Sequence, residues 1–260
     1  MSLLAKERQD QILQYLIQHG KVKVIPLADE LGVTRETIRR DLDFLETEGH
    51  LRRVYGGAIR SAYENGEPTF EQRETINVEG KQKIGELAAS LIQDGDTIAL
   101  DVGTTMIEMV KLMRGKKNIT VLTNSLAVGV HLSEALSSGR FSGKVIFLGG
   151  ELNPDQNSIT GPLCENMLQQ FHLDKAFLSV GGVSLKTGIT DYDVNESHIS
   201  KMFSKAASQT IVLADHSKIG VQAFSKIMPI QEVDIIVSDV SCPEDWASEL
   251  MKIGLSWNNE

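Results

Sequence analysis

Between positions 97 and 237 the chain repeats one unit: a short apolar run, a polar turn and, in many cases, a helix-like stretch. The apolar runs are Thr97-Ile98-Ala99-Leu100, Val121-Leu122, Val145-Ile146-Phe147-Leu148, Ala176-Phe177-Leu178-Ser179-Val180, Ile211-Val212-Leu213-Ala214 and Val233-Asp234-Ile235-Ile236-Val237. Ahead of them, Ile84, Leu87, Ala88 and Leu91 form a helical stripe. Short buried strands alternating with helices predict an open α/β domain with a largely parallel sheet. In such sheets ligands bind beyond the carboxyl ends of the strands, so the turns that follow them carry the chemistry.

Those turns are polar and rich in glycine. Asp101-Val102-Gly103-Thr104-Thr105 follows the first strand and leads into a helix. Glycine lets a backbone approach closely and the threonines offer hydroxyls at a helix N-terminus, a combination suited to a phosphate. Thr123-Asn124-Ser125, Gly149-Gly150-Glu151, Gly181-Gly182-Val183 and Asp215-His216-Ser217-Lys218 follow later strands, the last supplying a lysine for the phosphate charge. Five such turns at one sheet edge predict a cleft for a small, phosphorylated polar ligand.

The first sixty residues follow another pattern. Ile12, Leu13, Leu16 and Ile17 repeat with helical spacing up to Gly20. Pro26 suits the first turn of a second helix with Leu27, Ala28 and Leu31, and Gly32 its stop. Thr34 suits the N-cap of a third helix, whose Ile38, Leu42 and Leu45 face inward. Glu36, Arg40 and Asp43 then point outward, flanked by Thr37 and Arg39. This is helix-turn-helix spacing, with arginines placed to fork onto guanine edges or phosphates. After Gly49, Leu51-Arg52-Arg53-Val54-Tyr55-Gly56-Gly57-Ala58 reads as a wing with Arg52 and Arg53 near the phosphate backbone. The same charges also suit a solvated interaction helix, with Asp41 and Glu46 paired to the arginines.

Charge supports a division of labour. The whole chain is at −9, but residues 1–60 hold ten basic and nine acidic side chains, leaving +1 there and −10 for the remainder. Polar, turn-rich residues 60–77 predict a linker between a DNA-binding domain at 1–59 and an effector domain at 78–260. Cys164 and Cys242 lie far apart, and the six histidines lack H-E-x-x-H spacing, so neither a disulfide framework nor a metal site is expected. No nucleophile elbow or Walker A loop occurs. Ser200, Ser204 and Ser208 read as a packing or solvated face, and Trp246, Leu250 and Ile253 as an amphipathic helix covering the sheet edge or meeting a subunit. The early charges at Lys6, Glu7 and Arg8, and the lack of a long apolar run, predict a cytoplasmic protein without a membrane span.

Val33-Thr34-Arg35-Glu36-Thr37-Ile38-Arg39-Arg40-Asp41-Leu42, followed by Arg53-Val54-Tyr55-Gly56-Gly57-Ala58, closely resembles the DNA-binding signature of the DeoR family of bacterial transcriptional regulators. Asp101–Thr105, Thr123-Asn124-Ser125, Gly149-Gly150, Gly188-Ile189-Thr190-Asp191, Glu196 and Ala214–Lys218 resemble its effector domain. The resemblance implies a winged helix-turn-helix that binds double-stranded operator DNA through Thr34, Arg35, Thr37, Arg39, Arg40, Arg52 and Arg53. It implies a sensor for a phosphorylated sugar, with Gly103, Thr104, Thr105 and Lys218 on the phosphate and Asp101, Asn124, Gly150, Asp191 and Glu196 near the sugar. Repression of carbohydrate genes follows from it, with no cofactor; a single module buries too little surface for high specificity, so paired modules of a homo-dimer or homo-tetramer are expected. The effector domain also resembles ribose-5-phosphate isomerases, which makes a sugar-phosphate isomerase-like enzyme the alternative; Glu196 would be its base. The isomerase Asp-Gly-Ala-Asp turn, however, corresponds to Val180-Gly181-Gly182-Val183, and valine cannot accept a proton.

Overall fold

The computed structural model describes residues 5–19, 21–47, 50–54, 56–60 and 68–260. Gly20, Gly49, Tyr55 and residues 61–67 of the expected linker lie outside the described residues, as do the side chains of Ile17 and Arg52. The chain divides into two compact units, Met1–Gly66 and Glu67–Glu260.

The first unit contains α1 (Ala5–His19), β1 (Lys21–Lys23), α2 (Val24–Glu30), α3 (Arg35–Thr47), β2 (Leu51–Val54) and β3 (Gly57–Arg60). Ile12, Leu16, Leu27, Ile38, Leu42 and Leu45 meet in one core, as their helical spacing requires. The wing is an antiparallel pair, β2 with β3, and β1 joins it on the other side of β3. Three residues of Lys-Val-Lys carry too short a pattern to announce β1; its pairing with β3 makes it a strand.

The second unit begins with α4 (Phe70–Thr75) and α5 (Val78–Ser90). The helix α4 corrects the reading of 60–77 as linker throughout. Thr69 caps it in a reciprocal box with Gln72, and Phe70 is buried in the core. Then follow β4 (Thr97–Leu100), α6 (Thr104–Leu112), β5 (Ile119–Thr123), α7 (Leu126–Ser137), β6 (Gly143–Phe147), the hairpin β7 (Glu151–Asn153) and β8 (Ser158–Thr160), and α8 (Pro162–Leu168). The chain continues through β9 (Leu173–Ser179), β10 (Gly182–Ser184), β11 (Gly188–Asp191), α9 (Val194–Ala206), β12 (Ala207–Leu213), β13 (Ser225–Met228), β14 (Ile235–Val237), α10 (Glu244–Ile253) and β15 (Ser256–Asn258).

Seven strands form an all-parallel sheet in the order β15-β14-β12-β9-β4-β5-β6. All six apolar runs read from the sequence fall in it. Side chains alternate across the sheet: Ile98, Leu100 and Phe177 enter one core with α5, α6 and α7, while Ala99, Ala176 and Leu178 enter the other with α8 and α9. Both faces of the central strands are covered, which is why their buried stretches are continuous apolar runs. Trp246 and Leu250 of α10 join the second core, and β15, which the sequence does not announce, takes the sheet edge beside β14. Val180 and Val183 are buried in that core too. A small antiparallel sheet, β10-β11-β13, lies beyond β9. The strand order reverses between β4 and β9: β5 and β6 succeed β4 on one side, β12, β14 and β15 succeed β9 on the other. In open α/β sheets such a switch point is the place of the ligand crevice, at the carboxyl ends of the strands.

Candidate functional site

In the first unit the side chains on α3 sort by face. Asp41 is buried and receives the Arg8 guanidinium from α1, with Nε to Oδ2 at 2.5 Å and Nη2 to Oδ1 at 3.1 Å. Its partner is therefore α1, and not an arginine of α3 as the interaction-helix alternative supposes. The Asp41 hydrogen bond raises the Arg8 pKa further against the opposing pull of burial. Thr34 caps α3 by accepting the Thr37 backbone N–H at 3.1 Å, and its hydroxyl lies 2.9 Å from that of Thr37. Arg35, Arg39 and Arg40 are exposed on the same helix, and Arg39 has a loose ion pair with Glu36 at 3.4 Å. Arg53 differs: Asp43 holds its Nε at 3.0 Å, and Glu46 accepts its backbone N–H. The wing arginine is thereby fastened to α3. Arg52 is a residue of β2. Phe44, half-exposed on α3, adds an apolar surface that a charge-based reading passes over.

In the second unit the switch-point crevice collects side chains from six segments. Asp101, directly after β4, is buried; its Oδ2 accepts from Ser200 Oγ at 2.6 Å and its Oδ1 from the Val102 N–H at 2.8 Å. Burial pushes the Asp101 carboxyl up to about 7, against the pull of those two hydrogen bonds. Ser200 and Ser204 belong to α9 but Ser208 to β12, so the expected helical row at 200, 204 and 208 is broken, and Ser200 is held on Asp101 rather than on a packing or solvated face. One turn earlier on α9, Glu196 accepts from Ser158 Oγ of β8 at 2.5 Å. Gly103 caps α6 and backs onto the end of β9; a Cβ there would lie 2.3 Å from Ser179 Oγ. Thr104 and Thr105, both buried, open α6. Gly150 stands beside Thr160 and Cys164, and Asp191 Oδ1 faces Gly181 at the end of β9. Asn124 is wholly buried: its Nδ2 donates to the Ile159 carbonyl at 2.9 Å, and its Oδ1 has no hydrogen-bond partner among the described residues.

The cations gather on one side. Lys218 closes the short 3-10 turn His216–Lys218 after β12, with its ammonium 5.9 Å from the Tyr192 ring centroid. Asp215 caps that turn through Ser217. Burial pushes the Asp215 carboxyl up, but the charges of Lys218 and His216 and the Ser217 hydrogen bonds outweigh it and hold it low. Lys81, inside α5, is buried in the same electrostatic neighbourhood. Burial draws its ammonium down to about 8; Asp215 and Glu108 oppose this, while Lys218 and Arg73 add to it. Sequence pattern conceals Lys81, because a lysine in an amphipathic helix ordinarily lies on the solvated face. Here its ammonium donates to the Arg73 carbonyl of α4 and lies within the field of the 215–218 turn. Among the described residues no cluster of His, Cys, Asp and Glu is arranged to hold a metal ion. No described helix is long and apolar enough to cross a membrane.

A winged helix-turn-helix and a charged crevice at a parallel-sheet switch point, carried on one chain, define a ligand-responsive DNA-binding regulator. The chain belongs to the DeoR family: residues 8–62 match the DeoR-like helix-turn-helix domain and residues 76–240 the DeoR C terminal sensor domain. Among curated relatives, the uncharacterized HTH-type transcriptional regulator YulB of Bacillus subtilis (strain 168) is 36% identical over 91% of this chain and 90% of its own. The HTH-type transcriptional repressor GlcR of the same organism is 34% identical over 90% of this chain and 88% of its own. A ribose 5-phosphate isomerase A from Methanocaldococcus jannaschii superposes with a TM-score of 0.39 at 18% identity over 55% of each chain, a likeness too slight to carry function. The protein is a DNA-binding transcriptional regulator, and its full-length relatives are regulators rather than isomerases.

Proposed function

We propose that the protein is a cytoplasmic repressor of carbohydrate-metabolism genes that leaves its operator when a phosphorylated sugar fills the crevice. The observation that carries this is the gathering of Lys81 and Lys218 around Asp215, on the same sheet edge as the N-terminus of α6. A phosphate there meets backbone N–H groups and the hydroxyls of Thr104 and Thr105 on one side and ammonium groups on the other. Asp101, Asn124, Gly150, Asp191 and Glu196 take the sugar. A sugar hydroxyl would supply the donor that Asn124 Oδ1 lacks, which removes the cost of a buried, unpaired acceptor.

On DNA, Arg35, Thr37, Arg39 and Arg40 face the major groove, with Arg52 and Arg53 by the phosphates and Thr34 fixing the start of α3. A single module of this size buries too little surface for high specificity, so the functional form is a homo-dimer or homo-tetramer on repeated half-sites. The test is fluorescence anisotropy of duplex DNA from the protein's own upstream region, titrated with salt and then with a panel of pentose and hexose phosphates. Salt-sensitive, sequence-selective binding released by one phosphate is the expected result. By linkage, operator DNA must then weaken that phosphate's affinity by the same factor. Selective binding that no sugar phosphate alters would defeat the sensor assignment and leave the DNA assignment standing.

A further inference from the structure

The turn that carries Lys218 is fastened from outside. Asp239, on the loop after β14, holds its first residue at two points. Oδ1 accepts the His216 backbone N–H at 2.7 Å, and Oδ2 lies 2.7 Å from the ring Nδ1. Both side chains are largely buried, at 10% and 17% exposure. The same Oδ2 also accepts from Asn77 Nδ2 at 3.4 Å, and that nitrogen lies 3.4 Å from His216 Nδ1. Asn77 is the N-cap of α5 and sits in the left-handed region with φ 51°. Gly80, on the first turn of α5, admits this approach: a Cβ there would lie 2.6 Å from both Asp239 Oδ2 and Asn77 Nδ2. One turn away, the Lys81 ammonium donates to the Arg73 carbonyl near the end of α4.

We propose that Asp239 is a positioning residue for the phosphate seat, and that Asn77, His216 and Asp239 make the Lys218 turn and the α4–α5 junction move as one body. This rests on the proposed sensor function. The junction is the part of the sensor unit nearest in sequence to the DNA-binding unit, so occupancy of the seat is reported there first. Coupling requires an element with two arrangements that both sites bias. Asn77 supplies one: outside glycine, left-handed backbone is adopted mainly by asparagine and aspartate whose side chains hydrogen-bond locally, and here Asn77 Nδ2 donates to the same Asp239 that holds His216. A phosphate that pulls on Lys218 pulls on the turn that Asp239 ties to Asn77.

The test uses the full chain, operator duplex from its own upstream region, inorganic phosphate and the panel of sugar phosphates. Asn77→Gly deletes the side-chain bond to Asp239 and the contact with His216 while keeping left-handed backbone accessible. It should bind the releasing sugar phosphate within about threefold of wild type and bind operator normally without it, yet release operator about tenfold less effectively. Asp239→Ala should weaken sugar-phosphate binding about tenfold with operator affinity unchanged. Asp239→Asn, which keeps an acceptor for the His216 N–H, should restore most of it. Undiminished release by Asn77→Gly, or Asp239→Asn no better than Asp239→Ala, overturns the inference alone. A wild-type chain that binds none of the phosphates overturns the sensor function and this inference with it. If Asp239→Ala does not fold, Asn77→Gly decides.

Discussion

The two units place their ionisable groups in opposite ways. On α3 the arginines stand in water, and the pair between Arg39 and Glu36 is loose and exposed. In the sensor unit Asp101, Lys81 and Asp215 are buried, and their protonation is displaced by burial and by neighbouring charges or hydrogen bonds. Exposed charges attract a polyanion over a distance and are screened by salt. Buried charges discriminate, because each must be matched by a group on the ligand or remain uncompensated. One chain thus holds a surface built for a large, uniformly charged partner and a crevice built for a small one.

Mutations should separate the two. The largest effect is expected from Lys218→Ala, which should weaken sugar-phosphate binding by about 2 kcal/mol or more in calorimetry and leave ligand-free operator affinity unchanged. Equal losses in both assays would mean that the units are not independent. Arg40→Ala should cost about 1–3 kcal/mol in operator anisotropy, relax specificity at one base pair and spare sugar-phosphate binding.

A smaller contrast lies in pH. The Lys81 ammonium, depressed to about 8, must be charged to meet a phosphate, so sugar-phosphate affinity should fall about tenfold per pH unit above 8. Lys81→Met should bind weakly and flatten that limb. The signs for stability run the other way around: the ligand-free chain should gain stability from Lys81 as pH rises from about 8 toward 10.5. It should lose stability through Asp101 as pH rises from 3.8 toward about 7, which thermal melts across that range would read. The smallest effect is expected from Arg39→Ala: its pair with Glu36 should contribute about 0–1 kcal/mol to thermal stability, while operator binding still weakens. An unchanged operator affinity would remove Arg39 from the interface.

The same contrast decided what could be read from the sequence. Arg35, Thr37, Arg39 and Arg40 all lie on α3, so a 3.6-residue period is enough to sort Ile38 from Arg40. Six of the seven strands of the parallel sheet were legible from short apolar runs, which burial on both faces explains for all but the edge strand β6. The strands β1, β7, β10 and β15 have three residues each, too short for a pattern, and pairing with another strand makes them strands. The glycine and threonine turn at 103–105 was visible, since its chemistry is local. Lys81, Ser200 and Asp239 were not. Each acts through the nearness of another element, and neither helical period nor turn composition records what packs against a given face. Helix α4 was hidden for a related reason: its single buried anchor, Phe70, is too little for a periodic signal.

The strand order also bears on how the protein assembles. β4 finds β5 nearby in the chain, and β9 finds β12, but the join of β4 to β9 closes a long loop. It is clasped by Thr97 N–H to Asp174 Oδ2 at 2.7 Å across 77 residues and by Lys175 to Asp96 at 2.5 Å across 79. Closing long loops is slow, so the two halves of the sheet should form before their seam. The crevice lies at that seam and is therefore among the last parts to be completed during folding. A sugar phosphate that binds there holds the halves together, and slower opening of the sheet, seen as hydrogen exchange at β4 and β9, would accompany the signal it sends to DNA.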